Sequence, residues 1–475
     1  MHILFPTGTQ SAAVLERELA KADGFTWEIV PAGEIASFLT RAALAKMLAD
    51  HPADAVIVSG MCTADFSAVE EKTGIPVYRG TRHAADIRRC FGLIAAGTLS
   101  KTLPADMLLE DQIRAETAQR LTDRESEAKA YCMLRSCKFG GTSRIKVLCE
   151  IMDAHRTPDL RRRAEHALAS GADGIDLGFG FDAEPADVTR CFAELADLDC
   201  VLSIDTLNPA LIRASLVRAD LIFSLTWDTI DELKEDISKA GAAAVLIPRD
   251  GHTLADTVAK AQATGMSRIF ADPLLQPPLS GMTVSLAGFA ADYGVPSVMG
   301  CVNVTELADA DSPGMCTLLA AAAAECRCAA VLISEHSDKT SGAVAEMRRA
   351  VNMMQAAEGM PYPKDAGCDV FVIKEKRKRR EPLPQYTSVT DADTIPENLS
   401  LDPNGNFRIG IEDGRIIAVR NGHAVRGTSA EAVMAQILAE DGVSLLDHAA
   451  YLGRELYKAE LALRFGRSFE QDGAF

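Results

Sequence analysis

The stretch Gly171-Ala172-Asp173-Gly174-Ile175-Asp176-Leu177-Gly178 decides the fold. It is a short apolar run, broken by one carboxylate and closed by glycine, and it follows a helix-compatible stretch at 159–169. Runs of the same kind recur along the middle of the chain, at 146–153, 174–178, 201–206, 221–225, 243–248, 269–273, 297–302 and 331–335. Helix-compatible stretches such as 209–217 lie between them. Successive runs start about 20–35 residues apart, the size of one strand–helix unit. Eight such units in about 220 residues predict a closed (β/α)8 barrel in preference to an open doubly wound sheet.

Working outward, residues 1–141 form a separate α/β block. Ile3-Leu4-Phe5, 54–60 and 75–81 read as buried strands alternating with helices, which predicts a layer with parallel strands. Pro6-Thr7-Gly8-Thr9-Gln10 follows the first strand. It has the form of a phosphate seat at a helix N-terminus, and equally that of a plain strand–helix turn. The barrel is expected over 142–365. A basic run, Lys374-Glu375-Lys376-Arg377-Lys378-Arg379-Arg380, with Pro382, Pro384 and Pro396, reads as a solvated linker. Residues 366–475 then form a small α+β domain. Its hairpin has arms 407–411 and 415–419 around Glu412-Asp413-Gly414, and a helix is expected over 445–465. On that helix His448, Tyr451 and Glu455 share one face, which reads as an interface to another domain or a second subunit.

Composition narrows the class. The 475 residues are 48% hydrophobic and 24% charged, with a formal net charge of −18. Such a chain is neither disordered nor fibrous. The negative balance argues against a nucleic-acid surface built from spread positive charge. No apolar stretch is long enough to span a bilayer and no signal peptide opens the chain. The twelve cysteines form no CxxC pair, so they read as reduced apolar fillers in a cytoplasmic protein.

A barrel of this kind carries its chemistry at the carboxyl ends of its strands. Those ends supply Glu150 and Asp153, Asp176, Asp205 and Thr206, Ser224 and Asp228, Arg249 and Asp250, Asp272, Asn303, and finally Glu335, His336, Asp338 and Lys339. Asp176 and Asp205 fall inside otherwise apolar strands, where a carboxylate is costly unless hydrogen-bonded. Together with Asp272 they suit a heterocycle rich in N–H donors. Arg249, His336 and Lys339 suit a phosphate or diphosphate. Glu150 and Asp153 suit Mg²⁺, which takes a few carboxylates plus substrate oxygens.

Several segments carry a family resemblance. The Asp176 and Asp205 strands and Asp272-Pro273 resemble successive strands of the dihydropteroate synthase superfamily. Residues 299–307, 309–314, 334–340 and 342–344 are similar to the dihydropteroate synthase-related proteins of tetrahydromethanopterin-using microbes. Tyr78-Arg79-Gly80-Thr81-Arg82-His83-Ala84-Ala85-Asp86 resembles that group's N-terminal domain. His448-Ala449-Ala450-Tyr451-Leu452-Gly453-Arg454-Glu455-Leu456 resembles its C-terminal domain.

The resemblance implies a pterin-binding barrel of dihydropteroate synthase type, acting as a homodimer. Its reaction would join an activated hydroxymethyl-pterin diphosphate to an arylamine-type acceptor with Mg²⁺. In the related microbes the acceptor is a phosphorylated ribofuranosyl-aniline. Asp205 and Asp272 match the pterin-edge carboxylates, beside Asp176, Ser224 and Asn303. Asp153, Glu335, His336 and Lys339 would be the catalytic group. The chain also departs from the synthases. Phe179-Gly180-Phe181-Asp182-Ala183-Glu184-Pro185 stands where they carry Ser-Thr-Arg-Pro, and the segment at Asn303 lacks their seventh-strand lysine. Two other readings therefore stay open: a non-catalytic pterin-binding subunit of a larger assembly, and a tetrahydropterin-dependent methyltransferase.

Overall fold

A computed structural model describes residues 1–249, 251–360, 362–370, 387–388, 390, 392 and 402–473. The basic run at 374–380, the three linker prolines and Asp250 lie outside the described residues. The chain divides into two compact units, one of residues 1–123 with 365–367, the other of 124–364 and the chain from 368 onward.

The first unit is built on β1 (His2–Thr7), β2 (Thr26–Pro31), β3 (Ala55–Val58) and β4 (Val77–Arg79). All pair in parallel, in the order β2-β1-β3-β4. Alternation along the strands feeds two cores. Leu4, Val56 and Val58 face the helices Arg41–Asp50 and Ser67–Thr73. Ile3, Phe5 and Ile57 face the helix Thr9–Leu19 and the turn Ala84–Cys90. The parallel layer is as the sequence predicts, with β2 added.

The second unit opens with an antiparallel hairpin, β5 (Cys132–Leu134) and β6 (Cys137–Phe139). The barrel strands follow: β7 (Lys146–Ile151), β8 (Gly174–Gly178), β9 (Val201–Asp205), β10 (Leu221–Leu225), β11 (Ala243–Leu246), β12 (Ile269–Ala271), β13 (Val298–Gly300) and β14 (Ala330–Ser334). They coincide with the eight apolar runs. The sheet order is β12-β11-β10-β9-β8-β7-β14-β13. A parallel bridge between Ala271 and Ser297 joins its two ends, with the Ala271 N–H donating to the Pro296 carbonyl at 3.0 Å. The sheet is therefore closed.

Successive side chains on a strand point to opposite faces. In β7, Val147, Cys149 and Ile151 pack outward against the helices, and Leu148 packs inward. The inward set continues with Val201, Leu221, Phe223, Val245, Phe270 and Leu332. Cys132, Leu134 and Phe139 of the hairpin join this inner cluster. The hairpin thus plugs the amino-terminal end of the barrel. The same parity turns Glu150, Asp176, Asp205 and Ser334 inward at the other end.

The C-terminal part holds an antiparallel sheet, β15 (Arg408–Glu412), β16 (Arg415–Arg420) and β17 (His423–Gly427). The helices Ala430–Ala439 and Leu446–Phe465 cover it. The stripe expected to form an interface is used within this domain. His448 bonds Asp402 at 3.0 Å, the Tyr451 hydroxyl donates to Asp472 at 2.7 Å, and Glu455 is buried beside Lys458. Among the described residues no helix is long and apolar enough to cross a membrane.

Candidate functional site

Four buried or half-buried acids occupy the carboxyl end of the barrel. One carboxylate oxygen each from Glu150, Asp176 and Asp205 lies within 4.8 Å of the other two. Asp176 Oδ1 accepts a 2.5 Å bond from the Ser203 hydroxyl, while its Oδ2 is buried with no partner. Asp205 Oδ1 accepts a 2.5 Å bond from the Ser224 hydroxyl. No lysine or arginine among the described residues pairs with any of the three. Asp272 follows β12, and its Oδ1 accepts the Leu274 N–H at 2.8 Å.

Ser224 reaches Asp205 because β10 is irregular. Its pairing with β11 shifts register between Ile222 and Leu225, and Ser224 takes a left-handed φ of 63°. The bulge inserts a residue, sends Leu225 into the outer core and leaves the serine facing in. A β-branched or bulky residue would resist that backbone, and a bulge re-aims a side chain in this way.

Burial without a counter-charge sets the protonation of the cluster. It raises Asp176 well above the usual carboxylate range, with Asp205 and Glu150 adding to the effect and Ser203 opposing it. Burial raises Asp205 also, opposed by the Ser224 hydroxyl. Glu150 is pushed up to about 7, by burial and then by Asp205 and Glu306. Asp272 also rises to about 7, through burial and the Asp205 charge, with the Leu274 N–H opposing. The mouth thus holds protons at neutral pH that N–H donors or a cation could replace.

Glu306 stands apart, and the strand ends did not point to it. Burial alone would raise it, but the hydroxyls of Ser334, Ser337 and Thr340 and the His336 N–H hold it near 2. Those hydroxyl bonds are 2.6, 2.6 and 2.7 Å long. Glu306 therefore fixes the loop after β14 as a permanent anion.

The other expected residues lie elsewhere on the rim. Glu335 has the outward parity of Val331 and Ile333, and its Oε1 accepts the Val344 N–H at 3.0 Å, at the start of the helix Ala343–Ala356. Lys339 Nζ donates to the Glu306 carbonyl at 2.6 Å and to Asp309 at 3.1 Å. His336 is exposed. Arg249 is about half exposed, 3.7 Å from Asp228. Asp153 is exposed with a left-handed φ of 46°. Asn303 is exposed and ties the β12 loop through a 3.0 Å bond to the Leu275 carbonyl. The structure thus groups Glu150 with Asp176 and Asp205, and does not bring Glu335 to them.

A family model described as PterinBD-DUF4346 matches residues 401–472. An uncharacterized protein of Methanocaldococcus jannaschii is 30% identical over 454 residues, covering 88% of this chain and 86% of the relative. Among solved structures, dihydropteroate synthase of Yersinia pestis with a pterine–sulfa conjugate matches 46% of this chain and 94% of its own, at 19% identity and a TM-score of 0.37. The Burkholderia cenocepacia dihydropteroate synthase complexed with 7,8-dihydropteroate matches 46% and 93%, at 21% identity and a TM-score of 0.36.

Proposed function

Because the chain belongs to the family of dihydropteroate synthase-related, pterin-binding proteins, we propose that its barrel mouth binds a pterin and joins it to an arylamine-type acceptor. One observation carries this reading: Asp176 and Asp205, buried and lacking a cation, meet at one opening. A pterin edge presents neighbouring ring and amino N–H groups, and an ionised carboxylate accepts several such bonds. Asp205 and Asp272 take that edge in this proposal, with Asp176 beneath, Ser224 orienting Asp205, and Asn303 at the rim.

In the proposed reaction the acceptor's amine attacks the exocyclic CH₂ of a hydroxymethyl-pterin diphosphate. A C–N bond forms, the C–O bond to diphosphate breaks, and the amine loses a proton. Asp153 and His336, exposed on the rim, are the proposed groups for that proton. Arg249, with Lys339, is proposed for the anion. Glu150, with Asp153 at the same strand end, is proposed for a hard cation such as Mg²⁺, which would neutralise charge on the leaving diphosphate. The acceptor proposed is a ribofuranosyl-aniline phosphate, on a route to tetrahydromethanopterin.

The test is incubation of the purified chain with the pterin diphosphate, that acceptor and Mg²⁺. Condensed product with equimolar diphosphate release is expected, and neither appearing would sink the reaction. A second reading is favoured by Lys339, whose ammonium is already held by Glu306 and Asp309. It is pterin binding without diphosphate chemistry, and it predicts saturable pterin binding with no turnover.

A further inference from the structure

A second group of ligand-type side chains lies outside the acid cluster, on the loops that follow β7 and β8. It centres on His155, in the short turn Ala154–Arg156. The His155 side chain is only 5% exposed, and neither ring nitrogen has a hydrogen-bond partner among the described residues. The residue takes no part in the proposed condensation. Leaving a buried polar group unsatisfied costs about 1–3 kcal/mol, and a ligand on the nitrogen offsets that cost.

The surroundings hold the ring in one place. It stacks on Phe179, with centroids 6.0 Å apart and planes inclined by 26°. The His155 carbonyl accepts a 2.9 Å bond from Arg190, which ties the turn to the helix Pro185–Glu194. Nε2 lies 3.5 Å from Asp182 Oδ1, too far for a good hydrogen bond. Arg156 donates to Asp182 Oδ2, which leaves Oδ1 to the imidazole. Glycine is required at 180 by close approach. A Cβ there would stand 2.9 Å from Asp153 Oδ1, 3.1 Å from Asp182 Oδ1 and 3.8 Å from His155 Cε1. Two carboxylates and an imidazole thus converge over Gly180 from two loops.

From this convergence we infer that the loops after β7 and β8 bind a transition-metal dication, with His155 Nε2 and Asp182 Oδ1 as ligands and Asp153 as the third. Two ligands each about 2.1 Å from one tetrahedral ion stand roughly 3.4 Å apart. The 3.5 Å between Nε2 and Oδ1 is that spacing. An imidazole in the set favours Fe²⁺, Co²⁺ or Zn²⁺ over Mg²⁺. Arg156 holds the ligating carboxylate by its other oxygen, the usual support behind a metal ligand. Asp153 and Asp182 are exposed, so the remaining coordination positions face solvent, as in a site that keeps a place for water or substrate. The inference does not depend on pterin binding. It shares Asp153 with the Mg²⁺ proposal and dispenses with Glu150.

The experiment is titration of the full chain, freed of metal with EDTA and dialysed, with Co²⁺ followed by its visible absorption. Wild type should bind Co²⁺ saturably, release it to Zn²⁺ and keep it against excess Mg²⁺. His155→Gln and Asp182→Asn should each weaken binding by about tenfold or more, since even partners behind a ligand carry that much. Glu150→Gln should bind Co²⁺ as wild type does. Circular dichroism checks the fold of each variant. Asp182→Asn, on an exposed loop, keeps the test decisive should the buried His155→Gln fail to fold. Absence of saturable Co²⁺ binding by wild type overturns the inference. So does displacement by Mg²⁺, or an Asp182→Asn variant that binds as wild type. Loss of Co²⁺ in a folded Glu150→Gln variant would assign the ion to the acids of the mouth and overturn it equally.

Discussion

The two ends of the barrel treat buried charge in opposite ways. At the amino-terminal end Asp173 and Glu125 each meet a base. Asp173 receives a bidentate pair from Arg144 at 2.8 and 2.5 Å, a second guanidinium from Arg348, and the Val147 N–H at 2.9 Å. Lys146, fully buried, donates to Glu125 at 2.7 Å. At the carboxyl end Glu150, Asp176 and Asp205 face one another without a cation. Burial opposes ionisation at both ends. At Asp173 the two arginines outweigh it and hold the carboxyl below its ordinary range, whereas at Asp176 the neighbours are like charges and add to it. One end spends its charges on holding the fold, and the other keeps its acids for a ligand.

The contrast is broken most directly by removing one acid from each end. Asp173→Ala leaves two guanidiniums without their partner and should cost roughly 3–5 kcal/mol. Asp176→Asn removes a carboxylate that has no counter-charge, so it should leave stability unchanged or raise it by about 1 kcal/mol. Urea unfolding of both variants measures the difference. Equal losses at the two sites would erase the distinction.

Ligand affinity should follow the reverse order. Asp205→Asn and Asp272→Asn each remove acceptors from the proposed pterin edge. Each should weaken pterin binding by about 10–100-fold, the worth of a hydrogen bond to a charged group. Arg348→Lys at the opposite end should leave that affinity unchanged. Titration of the three variants with 6-hydroxymethylpterin checks this, and a uniform response would remove the mouth as the binding site.

Acidity separates the ends by sign. The folded-state pKa of Asp173 is depressed, so its stabilisation is present above the unfolded pKa and is lost as pH falls through the folded value. Glu150 and Asp272 are raised to about 7. The folded chain therefore binds their protons more tightly than the unfolded chain does. Their contribution is fullest below the unfolded pKa and is lost as pH rises toward 7, by an amount on the order of a few kcal/mol. Asp272→Asn should flatten the fall between about pH 4 and 7 and leave the acid limb in place. If a pterin replaces those protons, its binding releases them, and its affinity should climb over the same range. Stability curves recorded with and without the ligand test both statements.

The legible parts of the molecule were those written in local pattern. Strands buried on both faces read as continuous apolar runs, which is why β7 to β14 stood out. Carboxylates inside such runs also singled out Asp176 and Asp205. β2 escaped because Thr26-Trp27-Glu28-Ile29-Val30-Pro31 carries an acid and ends in proline at the sheet edge. The plug hairpin escaped because its strands are three residues each, too short to show a period. Glu306 escaped because its partners lie 28 to 34 residues away on another loop. A pairing of that range leaves no local trace. Glu335 sits one residue past Ser334, and that single step turned it from the mouth to the helices.

Ser224 offers the finest discrimination between an acid held for a ligand and one held for the fold. Its left-handed backbone costs a non-glycine residue about 1–2 kcal/mol, and its hydroxyl returns about 0.5–1.5 kcal/mol through Asp205. Ser224→Gly relieves the backbone and loses the bond, so it should lie within about 1 kcal/mol of wild type. Ser224→Ala keeps the strain and loses the bond, so it should be less stable than the glycine variant by about 1 kcal/mol. In both, Asp205 loses the one group that opposes its rise, so it should titrate at higher pH and bind pterin more weakly at neutral pH. Paired thermal unfolding and pH-dependent pterin titration read the two effects separately. An alanine variant as stable as the glycine variant would mean that the bulge carries no strain, and unchanged pterin affinity would mean that the serine holds Asp205 for the fold alone.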